Sequence, residues 1–200
     1  MKAREYPLLG LSGKKRSGKD TFADRLVTEH GYTRVAFADV MKEAALALDP
    51  IMWTDNLPDQ FGEPGYVRLS EVVSSLGWEA AKGRNEVRRT LQRLGTEMGR
   101  KLFGESFWVD QAMLKVEAID GPVVITDVRF PNEADAVVEA GGVALRIERP
   151  SIVSTDTHPS ETALDDYDNF ALVVPNLSTL AALHAQADFI HGLATAPASS

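Results

Sequence analysis

Cysteine is missing altogether from this 200-residue chain. Neither a disulfide framework nor a thiolate metal site can therefore be part of it. Long apolar runs are missing as well. None approaches the roughly 20 residues that a membrane-spanning helix needs, so no membrane association is expected. The first residues, Met1-Lys2-Ala3-Arg4-Glu5, lack an apolar signal core, which points to a cytoplasmic protein. Basic excess is absent too. The chain carries 21 Lys and Arg against 29 Asp and Glu, a net charge of −8, where a nucleic-acid surface calls for a basic patch. We find no internal repeat and no long low-complexity segment. What remains is ordinary for a globular protein: 44% hydrophobic and 25% charged residues, enough for one domain with a real core, or one domain with an inserted lid.

The most informative stretch is Gly13-Lys14-Lys15-Arg16-Ser17-Gly18-Lys19-Asp20-Thr21. An apolar run over 8–11 precedes it and reads as a short buried strand. After it, Phe22, Leu26 and Val27 recur at helical spacing. Strand, glycine loop and helix form the context that a phosphate-binding loop needs. Gly13 and Gly18 permit backbone angles that turn successive N–H groups toward one anion. The helix beginning near Gly18 adds its positive end, and Lys19 supplies a point charge for the β- and γ-phosphates. Asp20 stands where many such loops have Ser or Thr for Mg²⁺, with Thr21 one place later. It could hold the ion through water or position Lys19.

Further along, 33–37 is a second strand candidate and 39–48 a helix. Pro50, Pro58, Pro64 and several glycines make 49–67 a loop or mobile segment. A short helix over 69–76 has Ser70 as its expected cap. Val87, Leu91, Leu94, Met98 and Leu102 fall in one helical stripe, so 86–102 reads as a single helix, followed by another over 107–119. Residues 122–126 form a continuous apolar strand, of the kind that suits a parallel sheet covered on both faces. Pro131 suits the first turn of a helix over 131–140. Strands over 143–147 and 170–174 and a helix over 178–190 complete the pattern, and the tail 194–200 is expected to fray. Five strands alternating with helices predict an α/β protein with a mainly parallel, doubly wound sheet. Ligands of such sheets sit at the carboxyl ends of the strands. The Gly13 loop, the Lys42 helix, Asp127 and Asn176 all follow strands and are expected to meet in one crevice.

Charge is unevenly spread. Residues 82–101 hold seven basic side chains (Lys82, Arg84, Arg88, Arg89, Arg93, Arg100 and Lys101) against Glu86 and Glu97, whereas 151–200 hold no Lys or Arg. Either a local anionic ligand or a solvated helix face accounts for this; for Arg93 and Arg100 the solvated face is the better reading. Asp127 ends an apolar strand, the usual place to orient Mg²⁺ or a reacting hydroxyl. Arg129, two residues on, could neutralise a transferring phosphoryl group. A helix cap for Asp127 and a surface ion pair for Arg129 are the plain alternatives. On spacing alone, Trp108 is core as readily as platform, and His158 is a turn residue.

Taken together, several stretches resemble the bacteriophage deoxynucleoside monophosphate kinases. They are Ser12 to Thr21, Val87-Arg88-Arg89 with Gln92, Leu94-Gly95-Thr96, Trp108-Val109, Asp127-Val128-Arg129, Thr157-His158 with Glu161, and Val173 to Asn176. Animal phosphomevalonate kinases are similar in the Lys-Arg loop, the Asp-Val-Arg turn and the acidic segment near Glu161, but lack the Leu-Gly-Thr stretch. The resemblance implies a P-loop NTPase fold whose core is 6–48, 121–148 and 168–192. A helical acceptor region would cover about 49–119, a lid about 149–167 and a flexible tail 193–200. It implies γ-phosphoryl transfer from ATP, with Mg²⁺, to a deoxynucleoside monophosphate, in host-cell cytoplasm if the gene is a phage's. Gly13, Lys14, Lys15, Arg16, Ser17, Gly18, Lys19, Asp20, Thr21 and Asn176 would hold ATP, with Asp20 and Asp127 near the metal. Lys42, Arg68, Arg88, Gln92, Thr96, Trp108, Arg129 and Glu133 would hold the acceptor. Lys19, Arg16, Asp127 and Arg129 would carry catalysis. Arg146 and Arg149, with the stretch through His158 and Glu161, would close as the lid. A small-metabolite phosphate kinase or a nucleotide-gated ATPase are the alternatives, and a homodimer is left open.

Overall fold

The computed structural model describes residues 5–54, 65–152 and 159–196. In chain order the elements are β1 (Leu8–Ser12), α1 (Lys19–His30), β2 (Thr33–Val35), α2 (Phe37–Leu48), β3 (Ile51–Thr54), β4 (Gly65–Arg68), α3 (Leu69–Ala81) and α4 (Asn85–Gln92). After α4 a π-helical stretch covers Arg93–Phe103. Then come α5 (Phe107–Glu117), β5 (Val123–Ile125), α6 (Pro131–Glu139), β6 (Val143–Glu148), the single turn α7 (Pro159–Thr162), β7 (Leu172–Pro175) and α8 (Leu180–Thr195). Two compact units result, Met1–Phe37 with Val109–Ser200, and Ala38–Trp108. No described helix is long and apolar enough to cross a membrane.

The first unit is the expected parallel sheet, in the order β2-β5-β1-β6-β7. All five residues of β1 are buried, as a strand covered on both faces requires. Gly10 in its middle is a packing requirement: a Cβ there would lie 2.9 Å from a methyl of Val137, so only glycine lets α6 settle on the strand. Strand order reverses about β1, so the loop leaving its carboxyl end opens at the switch point. On one face Phe22 and Leu26 of α1 meet Leu183, Ala187 and Ile190 of α8 over Leu9, Leu11 and Ile147. Arg25 binds both carboxylate oxygens of Asp188 at 2.9 Å. His30 contacts the same carboxylate at 2.8 Å and stacks on His191 at 4.0 Å. Phe37, read as the end of a strand, instead opens α2.

The second unit corrects the sequence in three places. The expected loop over 49–67 contains a hairpin, β3 with β4, paired from Ile51↔Arg68 to Thr54↔Gly65. Prolines and glycines around the strands mask two four-residue runs whose alternation is plain once paired. Met52 and Val67 turn into the core, while Trp53 and Tyr66 meet edge-on in solvent. Ser70 does not cap α3. Arg68 is the cap residue, its N–H bonds Glu71, and the Ser70 amide donates to Asp49 at 2.8 Å. The expected helix over 69–76 ends at Gly77, whose non-helical backbone (φ 70°, ψ 160°) separates it from a further short helical stretch that closes at Ala81.

The third correction concerns the stripe over 86–102. Val87, Leu91 and Leu94 are buried as expected, but Leu102 is 73% exposed. From Arg93 onward the backbone is π-wound, and hydrogen bonds reaching five residues change the phase of the inward face. Met98 still packs half-buried against the core, and Gly99 beside it, five residues after Leu94, is the next fully buried position. It lies flush against Trp108, where a Cβ would collide with the indole. The Trp108 N–H donates to the Gly95 carbonyl at 3.0 Å. One core cluster contains Met52, Val67, Leu69, Val72, Leu91 and Trp108.

Candidate active site

Residues 13–18 turn the chain from β1 back into α1. Three of them have left-handed φ: Gly13 (148°), Arg16 (67°) and Gly18 (105°). At Gly13 a Cβ would run into the carbonyl oxygen of Ile147, and at Gly18 it would lie 2.5 Å from Nδ2 of Asn176. Arg16 holds this conformation without glycine's freedom, at a cost of roughly 1–2 kcal/mol. The Ser17 N–H donates to the Lys14 carbonyl at 3.0 Å. Asn176 donates from Nδ2 to the Ser17 carbonyl at 2.9 Å, and its own N–H is anchored on Glu148. Gly18, the N-cap of α1, has no side chain with which to cap it, and amides opening a helix suit an anion. Ser17 Oγ is buried with no hydrogen-bond partner among the described residues. Ser17 lines a hollow of about 220 Å³ with Lys14, Arg146 and Arg149. A larger cleft, about 300 Å³, is lined by Arg16, Gly18, Asp20, Thr21, Arg149, Asn176, Ser178, Leu180 and Leu183. Its lining of charged, polar and apolar side chains has the make-up of a nucleotide cleft.

Asp127 leaves the end of β5, and its Oδ1 accepts the N–H of Phe37 at 2.8 Å. One oxygen therefore caps α2. Glu133, expected against substrate, is 7% exposed, and its Oε2 accepts the N–H groups of Arg129 (2.6 Å) and Phe130 (3.1 Å). It fixes the backbone under Arg129 and reaches the site through that residue. The Arg129 guanidinium points at Glu161, Nη1 to Oε1 3.4 Å.

Glu161 and Asp165 lie over the loop. The second Glu161 oxygen accepts the Lys15 N–H at 3.1 Å. Lys14 Nζ donates to the Glu161 carbonyl and pairs with Asp165 at 2.6 Å. Arg146 adds bonds to the Leu164 carbonyl (2.6 Å) and Asp165 (3.2 Å). Lys14, and then Arg146, hold the Asp165 carboxyl below the usual range. Lys14 is thus engaged by carboxylate and carbonyl oxygens. Asp165 escaped the sequence reading, although its spacing of four from Glu161 was a usable signal. Thr157 and His158 lie outside the described residues.

The second unit holds the other candidates. Arg88 and Gln92 are exposed one turn apart on α4, and Thr96 is exposed on the π stretch. Lys42 pairs with Asp39 at 2.6 Å, and Arg68 donates to the Asp49 carbonyl at 3.2 Å. Arg93 meets Glu97 at 3.6 Å on the exposed face, in keeping with the solvated reading and worth little energetically. Trp108 is buried in that unit's core, its N–H committed to Gly95.

Among the described residues no group of three or more His, Asp or Glu side chains could hold a metal ion. Mg²⁺ typically takes one or two carboxylates and completes its shell with phosphate and water oxygens, so a single carboxylate such as Asp20 or Asp127 could serve it.

Comparisons with known proteins agree with this reading of the fold. The model of the family described as deoxynucleotide monophosphate kinase matches residues 65–187. A protein of Acanthamoeba polyphaga mimivirus, provisionally named a deoxynucleotide monophosphate kinase, is 34% identical over 90% of this chain and 93% of its own. The deoxynucleotide monophosphate kinase of Escherichia phage RB69 is 26% identical over 92% and 98%. Among solved structures, TT1252 from Thermus thermophilus superposes with a TM-score of 0.50 at 14% identity, covering 96% of this chain and all (100%) of that one. That likeness concerns the fold alone.

Proposed function

The chain belongs to the deoxynucleotide monophosphate kinase family, and we propose that it moves the γ-phosphoryl group of ATP onto a deoxynucleoside 5′-monophosphate, giving ADP and the diphosphate. The observation that carries this reading is the loop: glycines at both positions where a side chain would collide, set between β1 and an α1 whose N-cap has no side chain. The amides that open α1, from Lys19 onward, grip the β-phosphate, and the Lys19 side chain reaches the β- and γ-phosphates. The adenosine lies in the cleft beside Asn176, Leu180 and Arg149. Asn176 keeps Nδ2 on the loop, and its Oδ1 is the atom an adenine amine would meet.

Arg129, held from below by Glu133, stabilises charge on the transferring group, and Arg16 adds a second cation. Asp127 and Asp20 would hold Mg²⁺, whose contribution when bound is to neutralise and align the phosphate oxygens. In the second unit, Arg88 and Gln92 share one helix face and can take a phosphate and a base edge together. Thr96, Lys42 and Arg68 would add further polar contacts to the acceptor. Trp108 serves Thr96 from underneath by fixing Gly95 beside it. No covalent intermediate is required, because alignment and cationic stabilisation supply the catalysis. The test is steady-state ADP release with ATP and each common deoxynucleoside monophosphate in turn. Acceptor-dependent ADP from at least one is expected, and none from any of them removes the proposal.

A further inference from the structure

The Glu161 carboxylate bridges two groups that an incoming phosphate would use, the Lys15 N–H at 3.1 Å and the Arg129 guanidinium at 3.4 Å. Its side chain is only 11% exposed, so the contact is a seated one. The seat is reinforced from behind. Lys14 binds the Glu161 carbonyl and Asp165, and Arg146 binds Asp165 and the Leu164 carbonyl. A carboxylate has the charge sign and the acceptor geometry of a phosphate edge. We propose that Glu161 stands in the place of the γ-phosphoryl group in the nucleotide-free enzyme, so that it sets the preference of the site between nucleoside triphosphate and diphosphate.

This rests on the proposed function for where the γ-phosphoryl lies. The amides that open α1, from Lys19 onward, take the β-phosphate; Lys15, nearer β1, and Arg129 take the group beyond it. ADP ends at the β-phosphate and leaves Glu161 seated. ATP brings a second anion to the same two donors, and the carboxylate must leave. Triphosphate binding is therefore weakened by the fraction of molecules in which Glu161 is seated, and diphosphate binding is not. If that fraction is about nine-tenths, the apparent ATP Kd is about tenfold above the intrinsic one. Glu161 thus specifies the nucleotide's phosphate count and favours neither base nor sugar.

The test is calorimetric titration of wild type and Glu161→Gln with ATP and with ADP, both with Mg²⁺ and without acceptor. Gln keeps the size and removes the charge. The expected result is an ATP Kd lowered by about three- to tenfold with the ADP Kd unchanged. Equal shifts for both nucleotides would indicate a structural change in the loop and overturn the inference. So would an unchanged or weaker ATP Kd; a lower kcat in separate steady-state assays of the same variant would then make Glu161 a positioning residue for Arg129. Should Glu161→Gln fold poorly by circular dichroism, Glu161→Asp replaces it: one methylene shorter, it cannot span both donors and should also bind ATP more tightly at unchanged ADP affinity. Wild type that binds no ATP would remove the proposed function itself, and this inference with it.

Discussion

Glu133→Ala separates the two roles open to that side chain. The carboxylate is buried, and one of its oxygens accepts two backbone amides, those of Arg129 and Phe130. Alanine leaves both donors without that acceptor. Each buried unsatisfied group costs about 1–3 kcal/mol, so the ceiling is about 6. Pro131 and Asn132 beside it are exposed, and water entering there should recover part of the loss. A net of about 2–4 kcal/mol follows, which in a chain of this size lowers Tm by about 4–16 °C. Loss of the support under Arg129 should also lower kcat by about tenfold or more, since displacement of a catalytic group by an ångström can cost a hundredfold. Glu133→Gln keeps an acceptor oxygen and should recover most of both losses. Thermal unfolding and steady-state kinetics on the two variants decide the matter. A Tm within a degree of wild type, together with a raised KM for the acceptor at unchanged kcat, would refute the capping role and restore Glu133 as a direct substrate ligand.

Three further outcomes follow from the same structure. Gly13→Ala places a Cβ against the Ile147 carbonyl at a left-handed φ, so ATP binding should be lost by titration while far-ultraviolet circular dichroism stays native. Gly99→Ala drives the π stretch off the Trp108 indole; overpacking of this kind costs about 1–3 kcal/mol and should show as a lower urea midpoint. The α1–α8 contact is pH-dependent: burial, and secondarily His30, lower the His191 pKa, so the folded state favours neutral His191. Its contribution is complete above the unfolded value of about 6.5 and is lost as pH falls below it. Asp188, whose pKa is lowered chiefly by Arg25 and then by His30, contributes above the carboxylate range and fails only in stronger acid. The urea midpoint should therefore drop between pH 7 and pH 5, and His191→Phe should flatten that drop; an equal drop in the variant would contradict the assignment.

Much of the first unit was legible because its signals are local. Gly13, Gly18 and Lys19 lie within seven positions, and the runs at β1, β5 and β6 are short, apolar and bounded by turns. Signals failed where partners are distant or the periodicity changes. The hairpin strands hold only four residues each, and their inward positions, Met52 and Val67, make sense only once paired. Gly99 faces inward because Trp108 comes to meet it and the backbone is π-wound, which no 3.6-residue stripe can express. Glu133 is a different case: a carboxylate near Arg129 reads as a substrate ligand, and only the fold shows one of its oxygens accepting two backbone amides. Lys14 likewise reads as a phosphate ligand, and only Asp165, 151 positions away, reveals its present partner.

The central claim is that one loop and one arginine deliver a phosphoryl group to a nucleotide and not to water. Its most direct test is the fate of label in γ-labelled ATP incubated with the enzyme, Mg²⁺ and a deoxynucleoside monophosphate. The account predicts label in the deoxynucleoside diphosphate, one for each ADP formed. Label released as inorganic phosphate, at the same rate with or without the monophosphate, would contradict it.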